Sequence, residues 1–123
     1  MNGKLTPISF SEKFSNFSEQ WSPKVIAEMN DYQFKLVRLE GDFVWHQHEN
    51  TDETFIVLEG SLAIDFEDAT VELKAGQLLV VPRGVMHRPR AASEAKELLV
   101  EPRGVINTGQ ADSALTAPID RWI

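Results

Sequence analysis

Two histidines stand one residue apart, His46 and His48, at the head of "WHQHENTDETFIVLEG", and Glu53 follows within the same stretch. The chain has three histidines, and the third is His87 in "AGQLLVVPRGVMHRPR". Neutral imidazoles and carboxylates are the donor types that hold divalent ions of borderline hardness. On a strand, residues two apart share a face. Val44, His46 and His48 are therefore expected on one face, and Phe43, Trp45 and Gln47 on the other. In the next run, Glu53, Phe55 and Val57 share one face, and Thr54, Ile56 and Leu58 the other. If the faces carrying the polar groups turn inward, two imidazoles and a carboxylate meet in an apolar interior. Leaving them unpaired there costs on the order of several kcal/mol. A metal ion, or a dense hydrogen-bond network, removes that cost. From spacing alone, three unrelated polar residues near loops remain the alternative.

The elements that must position these residues are short. "KVIAEMN", "YQFKLVRLEG", "DFVWHQH", "TFIVLEG", "SLAIDFED", "ATVELKAG", "QLLVVPRG", "MHRPRA" and "KELLVEPRG" follow one another, cut by Gly, Asn, Asp or Pro. Such runs predict an all-β sandwich or barrel. "LEGSL" and "FEDAT" read as hairpin turns, and Leu78 to Val81 as a buried strand before a Pro-Arg-Gly turn. Ahead of them, "ISFSEKFSNFSEQW" has a capping-box spacing at Ser9 and Glu12 and phenylalanines at helical intervals. This predicts one or two helical turns, with Phe10, Phe14 and Phe17 as a lid on the barrel. The apolar end, Trp122 and Ile123, is expected to pack back on the body.

Bulk properties narrow the function. A chain of 123 residues suits one domain, 1–123, large enough to bury a core unaided. With no cysteine, disulfides, thiolate nucleophiles and cysteine-ligated zinc are excluded. A net charge of −7 argues against a nucleic-acid footprint. The opening "MNGKLTPISF" lacks the pattern of a leader, and no apolar run approaches the ~20 residues of a membrane span. The expectation is a cytoplasmic protein with no membrane partner. Gly-x-Ser-x-Gly and phosphate-cradling glycine loops are absent from the sequence.

The glycines and proline around the histidines complete a pattern. Gly41, His46, His48, Glu53 and Gly60 resemble the first motif of the cupin family. Gly76, Pro82, Gly84 and His87 resemble its second, in the right order and a short hairpin away. Two departures stand out: the spacing from Gly41 to His46 is one residue short, and Ala91 stands where an asparagine is frequent. The likeness is to small single-domain cupins grouped with mannose-6-phosphate-isomerase-like proteins, and "EPRGVINTG" resembles that group too. It implies a cupin double-stranded β-helix, a jelly-roll barrel with its core at about 24–109, behind a short N-terminal helical segment.

By the same resemblance, His46, His48, Glu53 and His87 are the metal ligands. The ion would be iron, manganese, nickel, zinc or copper, with open positions for substrate, water or dioxygen. Two functions follow from the likeness: a metal-dependent enzyme on a small molecule, of dioxygenase or isomerase type, or a non-catalytic metal- or sugar-binding module. The habit of similar proteins implies a homodimer, with Trp45, Ile56 and Leu58 as candidate contacts. Around the site, Glu49 and Asp52 read as a solvated loop tip. Arg88 and Arg90 are expected on the surface, and Arg83 sits in a turn.

Overall fold

A computed structural model describes residues 5–123; the first four residues of the opening stretch lie outside it. Ser9 accepts a hydrogen bond from the Glu12 amide at 3.4 Å and caps α1, Phe10–Phe14. Seven strands follow: β1 Lys24–Met29, β2 Tyr32–Asp42, β3 Glu53–Glu59, β4 Ser61–Asp65, β5 Thr70–Lys74, β6 Leu78–Val81 and β7 Arg88–Pro102. All ladders are antiparallel, in the order β1-β2-β7-β3-β6, with β4 pairing β5 and β7. The fold is all-β and antiparallel, with one short N-terminal helix among the described residues, as expected.

β7 is the spine. One side follows β2 from Tyr32↔Pro102 to Asp42↔Arg90; the other meets β4 at Arg88–Arg90 and β3 at Lys96–Val100. "LEGSL" is therefore not a hairpin, because β3 and β4 do not pair; each lies beside a different part of β7. Gly60 sits where the chain passes from one to the other. Its φ is +79°, and an added Cβ would lie 3.0 Å from the Glu94 carbonyl oxygen, so both conformation and space demand glycine. "FEDAT" does close a hairpin, with Asp65 opposite Thr70.

Two apolar layers result. Inward residues, among them Val37, Leu39, Phe55, Val57, Leu62, Ile64, Val81 and Leu99, form the barrel core. Outward residues Ile26, Leu36 and Leu98 are covered by Phe14 and Phe17. The phenylalanines thus lie on the outer sheet face, not over the barrel, and Phe10 stays exposed. Amphipathic strands with two apolar faces need two covers, and the helix supplies the second. Two further expectations change. Leu78 and Val80 on edge strand β6 are 59% and 46% exposed, and among the described residues no strand pairs beyond that edge. Ile123 packs on the outer layer while Trp122 stays half-exposed.

Candidate metal centre

His46 and His48 do not sit on a regular strand. β2 ends at Asp42, and residues 43–48 are held by backbone contacts to residues 84–89. The Phe43 amide donates to the Pro89 carbonyl at 2.9 Å, His46 and His87 exchange amide-carbonyl bonds at 3.0 and 2.9 Å, and the Gly84 amide donates to His48 at 2.9 Å. The Pro-Arg-Gly turn thus clamps one motif to the other. Strict alternation fails here: Phe43, expected outward, is buried and lines the interior beside His46. On β3 it holds, and Glu53, Phe55 and Val57 point inward.

All four expected ligands are brought together. His46, His48, Glu53 and His87 are buried, and one donor atom from each lies within 4.8 Å of the others. Their protonation can be read from neighbours. Nδ1 of His46 faces the Val44 carbonyl at 2.9 Å, and Nδ1 of His87 faces the Val85 carbonyl at 2.9 Å. A carbonyl only accepts, so both Nδ1 atoms carry hydrogen and both neutral rings present a lone pair at Nε2. The His87 lone pair then faces Glu53 Oε1 at 3.2 Å. His48 Nε2 lies 3.3 Å from the same oxygen, at ion-pair distance but without hydrogen-bond direction, and is left with no partner.

Electron pairs that converge in a dry interior require a positive charge between them. Burial first, then His87, pushes His46 down to about 4, so it is neutral at ordinary pH. Burial also acts against a charge on His48, but Glu53 outweighs it and raises the His48 pKa. The Glu53 carboxyl is held below its usual range: burial opposes ionisation, and the two histidines overcome it. A divalent ion fits this donor set. At bond lengths of ~2.0–2.2 Å, octahedral ligands lie ~3 Å apart when adjacent and ~4.3 Å when opposite, within the observed spread.

On one side of the cluster lies a small cavity of about 30 Å³. His46, Glu53 and Glu97 reach it between walls that include Trp21, Phe43 and Phe55. Its rim is tied down by Asn107, which donates from Nδ2 to the Trp21 and Leu115 carbonyls at 3.0 Å each. Gly109 lies so close to Gln47 that a Cβ would have no room.

Other residues singled out in the sequence lie outside the cluster. Glu49 accepts from Gln110 at 3.2 Å, and Asp52 accepts from the Arg83 amide at 2.9 Å, so Asp52 is a turn clasp as well as an exposed acid. Arg88 and Arg90 both grip Asp65 on the outside. Trp45 lies under the Arg88 guanidinium, 5.5 Å from ring centroid to Cζ, while Ile56 and Leu58 are half-buried in the outer layer.

The sequence reading missed the interior polar groups on β2 and β7. Lys35 and Glu101 form a fully buried ion pair at 2.9 Å. Burial and then Glu53 push Glu101 up to about 7, against the pull of Lys35. Glu97 is also buried. The signal available was the spacing Glu97-x-Leu99-x-Glu101, which puts both acids on the face of a strand that also carries Leu99.

Comparison with known proteins agrees with this architecture. A family model described as "Cupin domain" matches residues 35–101. An uncharacterized protein of Bacillus subtilis, YdbB, is 46% identical over 81 residues, which are 65% of this chain and 66% of that protein; the match thus spans just under two thirds of its length. The crystal structure of a cupin-2 domain containing protein from Shewanella frigidimarina is 58% identical, with a TM-score of 0.77 over 78% of this chain and 94% of that one. A hydroquinone 1,2-dioxygenase from Sphingomonas, solved with 4-nitrophenol, shares the fold at 20% identity, with a TM-score of 0.73 over 80% of this chain and 33% of that one.

Proposed function

The chain belongs to the cupin family, and on that premise we propose that it is a metal-dependent enzyme acting on a small molecule, of dioxygenase or isomerase type. One observation carries this reading: the Nε2 atoms of His48 and His87 converge within 3.3 Å of one buried Glu53 oxygen, the His87 nitrogen with its lone pair toward it and His48 Nε2 with no hydrogen-bond partner among the described residues. His46, His48, Glu53 and His87 would hold a divalent ion, iron, manganese, nickel, zinc or copper. When bound, it would supply a Lewis-acidic or oxygen-activating centre. Val44 and Val85 orient two of the rings through their Nδ1 hydrogens, which fixes the tautomer a ligand needs. Phe43, Phe55 and Trp21 keep bulk water from the cavity side, where polar interactions gain strength as water is excluded.

Elemental analysis of protein purified without chelator or affinity-tag metal tests the site. One equivalent of a transition ion, lost when Glu53 becomes Ala, is the expected result; a folded, metal-free chain that binds none refutes it. Turnover of candidate small molecules by the loaded protein separates an enzyme from a binder. Cupins of this size are commonly homodimers, and for this chain we place the contact at the exposed edge strand β6 with Leu78 and Val80. A monomer at micromolar concentration in light scattering would exclude that.

A further inference from the structure

The cavity beside the four ligands contains an acid that the reading above leaves unused. Glu97 is 1% exposed on the inward face of β7, opposite Val37 on β2 and Val57 on β3. Its Oε1 has no hydrogen-bond partner among the described residues. Four residues along the strand, on the same face, Glu101 takes the interior lysine, Lys35, at 2.9 Å. The other polar wall residue, Asn107, is spent on the rim: Nδ2 on two carbonyls, Oδ1 on the Ala117 amide. A buried polar group without a partner costs on the order of 1–3 kcal/mol, and no neighbouring strand residue offsets that cost. The cavity that Glu97 shares with His46 and Glu53 is about 30 Å³, room for one or two waters. Whatever lies between this acid and the ligand cluster is therefore small.

We propose that Glu97 is a positioning residue for the cavity side of the bound ion. It hydrogen-bonds, directly or through one water, the small oxygen-bearing group that completes the ion's coordination. This rests on the metal-site reading above and extends it to a residue that is not a ligand. Burial first, then the charges of Glu53 and Glu101, push the Glu97 carboxyl well above its ordinary range, which favours the form that carries a hydrogen to donate. The charged and titratable groups turned into the same interior are Lys35 on β2, Glu53 on β3, Glu101 on β7 and the three histidines.

The test uses the full chain loaded with cobalt(II), whose visible spectrum changes as its water loses a proton. A donor to that water's oxygen favours the deprotonated form, so removing the donor raises the midpoint. In Glu97→Leu the midpoint is expected to rise by about one pH unit, a tenfold change in proton affinity. In Glu97→Gln, whose amide still donates, it stays within a few tenths of a unit. Glu97→Met, of similar volume, is read in the same way if the leucine variant does not fold. Loaded, folded Leu or Met variants with an unmoved midpoint overturn this proposal alone. A wild-type chain that takes up no cobalt overturns the metal site and this proposal together.

Discussion

Two acids in this molecule sit among basic side chains, and their surroundings differ in one respect. Asp65, on the outside of β4, accepts from Thr70 at 2.7 Å, from Arg88 at 2.8 and 3.2 Å and from Arg90 at 2.8 and 3.1 Å. Both oxygens are supplied, and Arg90, Thr70 and Arg88 hold the carboxyl far below its usual range. Glu53, inside the barrel, faces the His87 Nε2, which has no hydrogen to give it while that ring is neutral, and the His48 Nε2, which lacks hydrogen-bond direction toward it. The first arrangement is complete as it stands, and it ties β4, β5 and β7 together. The second is complete only with a cation between the donors. A satisfied polar network needs no further function to explain it, whereas an unsatisfied one in a buried site does.

The sharpest way to break this contrast is to remove one interior donor. His48→Ala deletes the nitrogen that has no partner, so metal affinity is expected to fall by more than about 100-fold, beyond the effect typical of residues that merely support a ligand. Calorimetric titration with zinc or manganese, with circular dichroism to show that the barrel persists, measures it. An unchanged affinity would mean that His48 is not a ligand.

Which parts of this contrast were legible in the sequence follows from how each residue is held. The four candidate ligands were legible because Gly41, Gly60, Gly76, Pro82 and Gly84 stand at motif spacings from them, and such spacings survive in one dimension. Glu97 and Glu101 were not. Along "KELLVEP" both faces mix charge with leucine or valine, so alternation cannot say which face is inside. The reason is the second apolar layer: Leu98 and Val100 point outward yet are covered or partly covered. Phe43 was placed on the wrong face because the 43–48 segment leaves the strand, held by Pro89 at the start of β7 and by His87 and Gly84 before it. The sheet itself was readable as short runs, but the partners of β4 were not, since only the bend of β7 decides them.

Metal should also register as stability. The ion binds a preformed site in the folded chain, so free ion at 100 times Kd is expected to stabilise it by about 2.7 kcal/mol. Thermal unfolding with chelator and with added ion gives the difference. No shift in midpoint would make the interior acceptors self-sufficient and dissolve the contrast with Asp65.

Without metal, the interior groups should dictate the pH dependence. His46 has a folded value of about 4 against an ordinary 6.5. Its contribution is complete above pH 6.5 and is lost as pH falls through about 4. Glu101 runs the other way: its folded value of about 7 lies above the ordinary 4.5. Its contribution is complete below pH 4.5 and is lost as pH rises through about 7. The two slopes oppose each other between those limits. Glu97, also raised, runs in the same direction as Glu101, so Glu101→Gln removes one of two falling contributions and should lessen the decline of metal-free stability as pH rises from 4.5 through about 7. Denaturant midpoints across pH 4–8 for both chains check this, and superimposable curves would show that Glu101 does not titrate as described.

The smallest effect is expected at Asp65, and it tests whether the two regions are independent. Asp65 pairs across the ladder with Arg88, and Arg88 is the chain neighbour of His87. A route from the outer cluster to the site therefore exists along the backbone. Local contacts argue that it carries little. The His87 ring is fixed by the Val85 carbonyl, and its backbone by two bonds to His46; none of these involves Asp65. In Asp65→Asn the amide oxygen still accepts from an arginine, and the arginine ends of these pairs are half-exposed, so the loss is modest. The thermal midpoint should drop slightly, while metal affinity stays within about twofold, the margin for independent sites. A tenfold loss of affinity would mean that the outer clasp sets the position of His87, and the satisfied network would then be part of the metal site it was contrasted with.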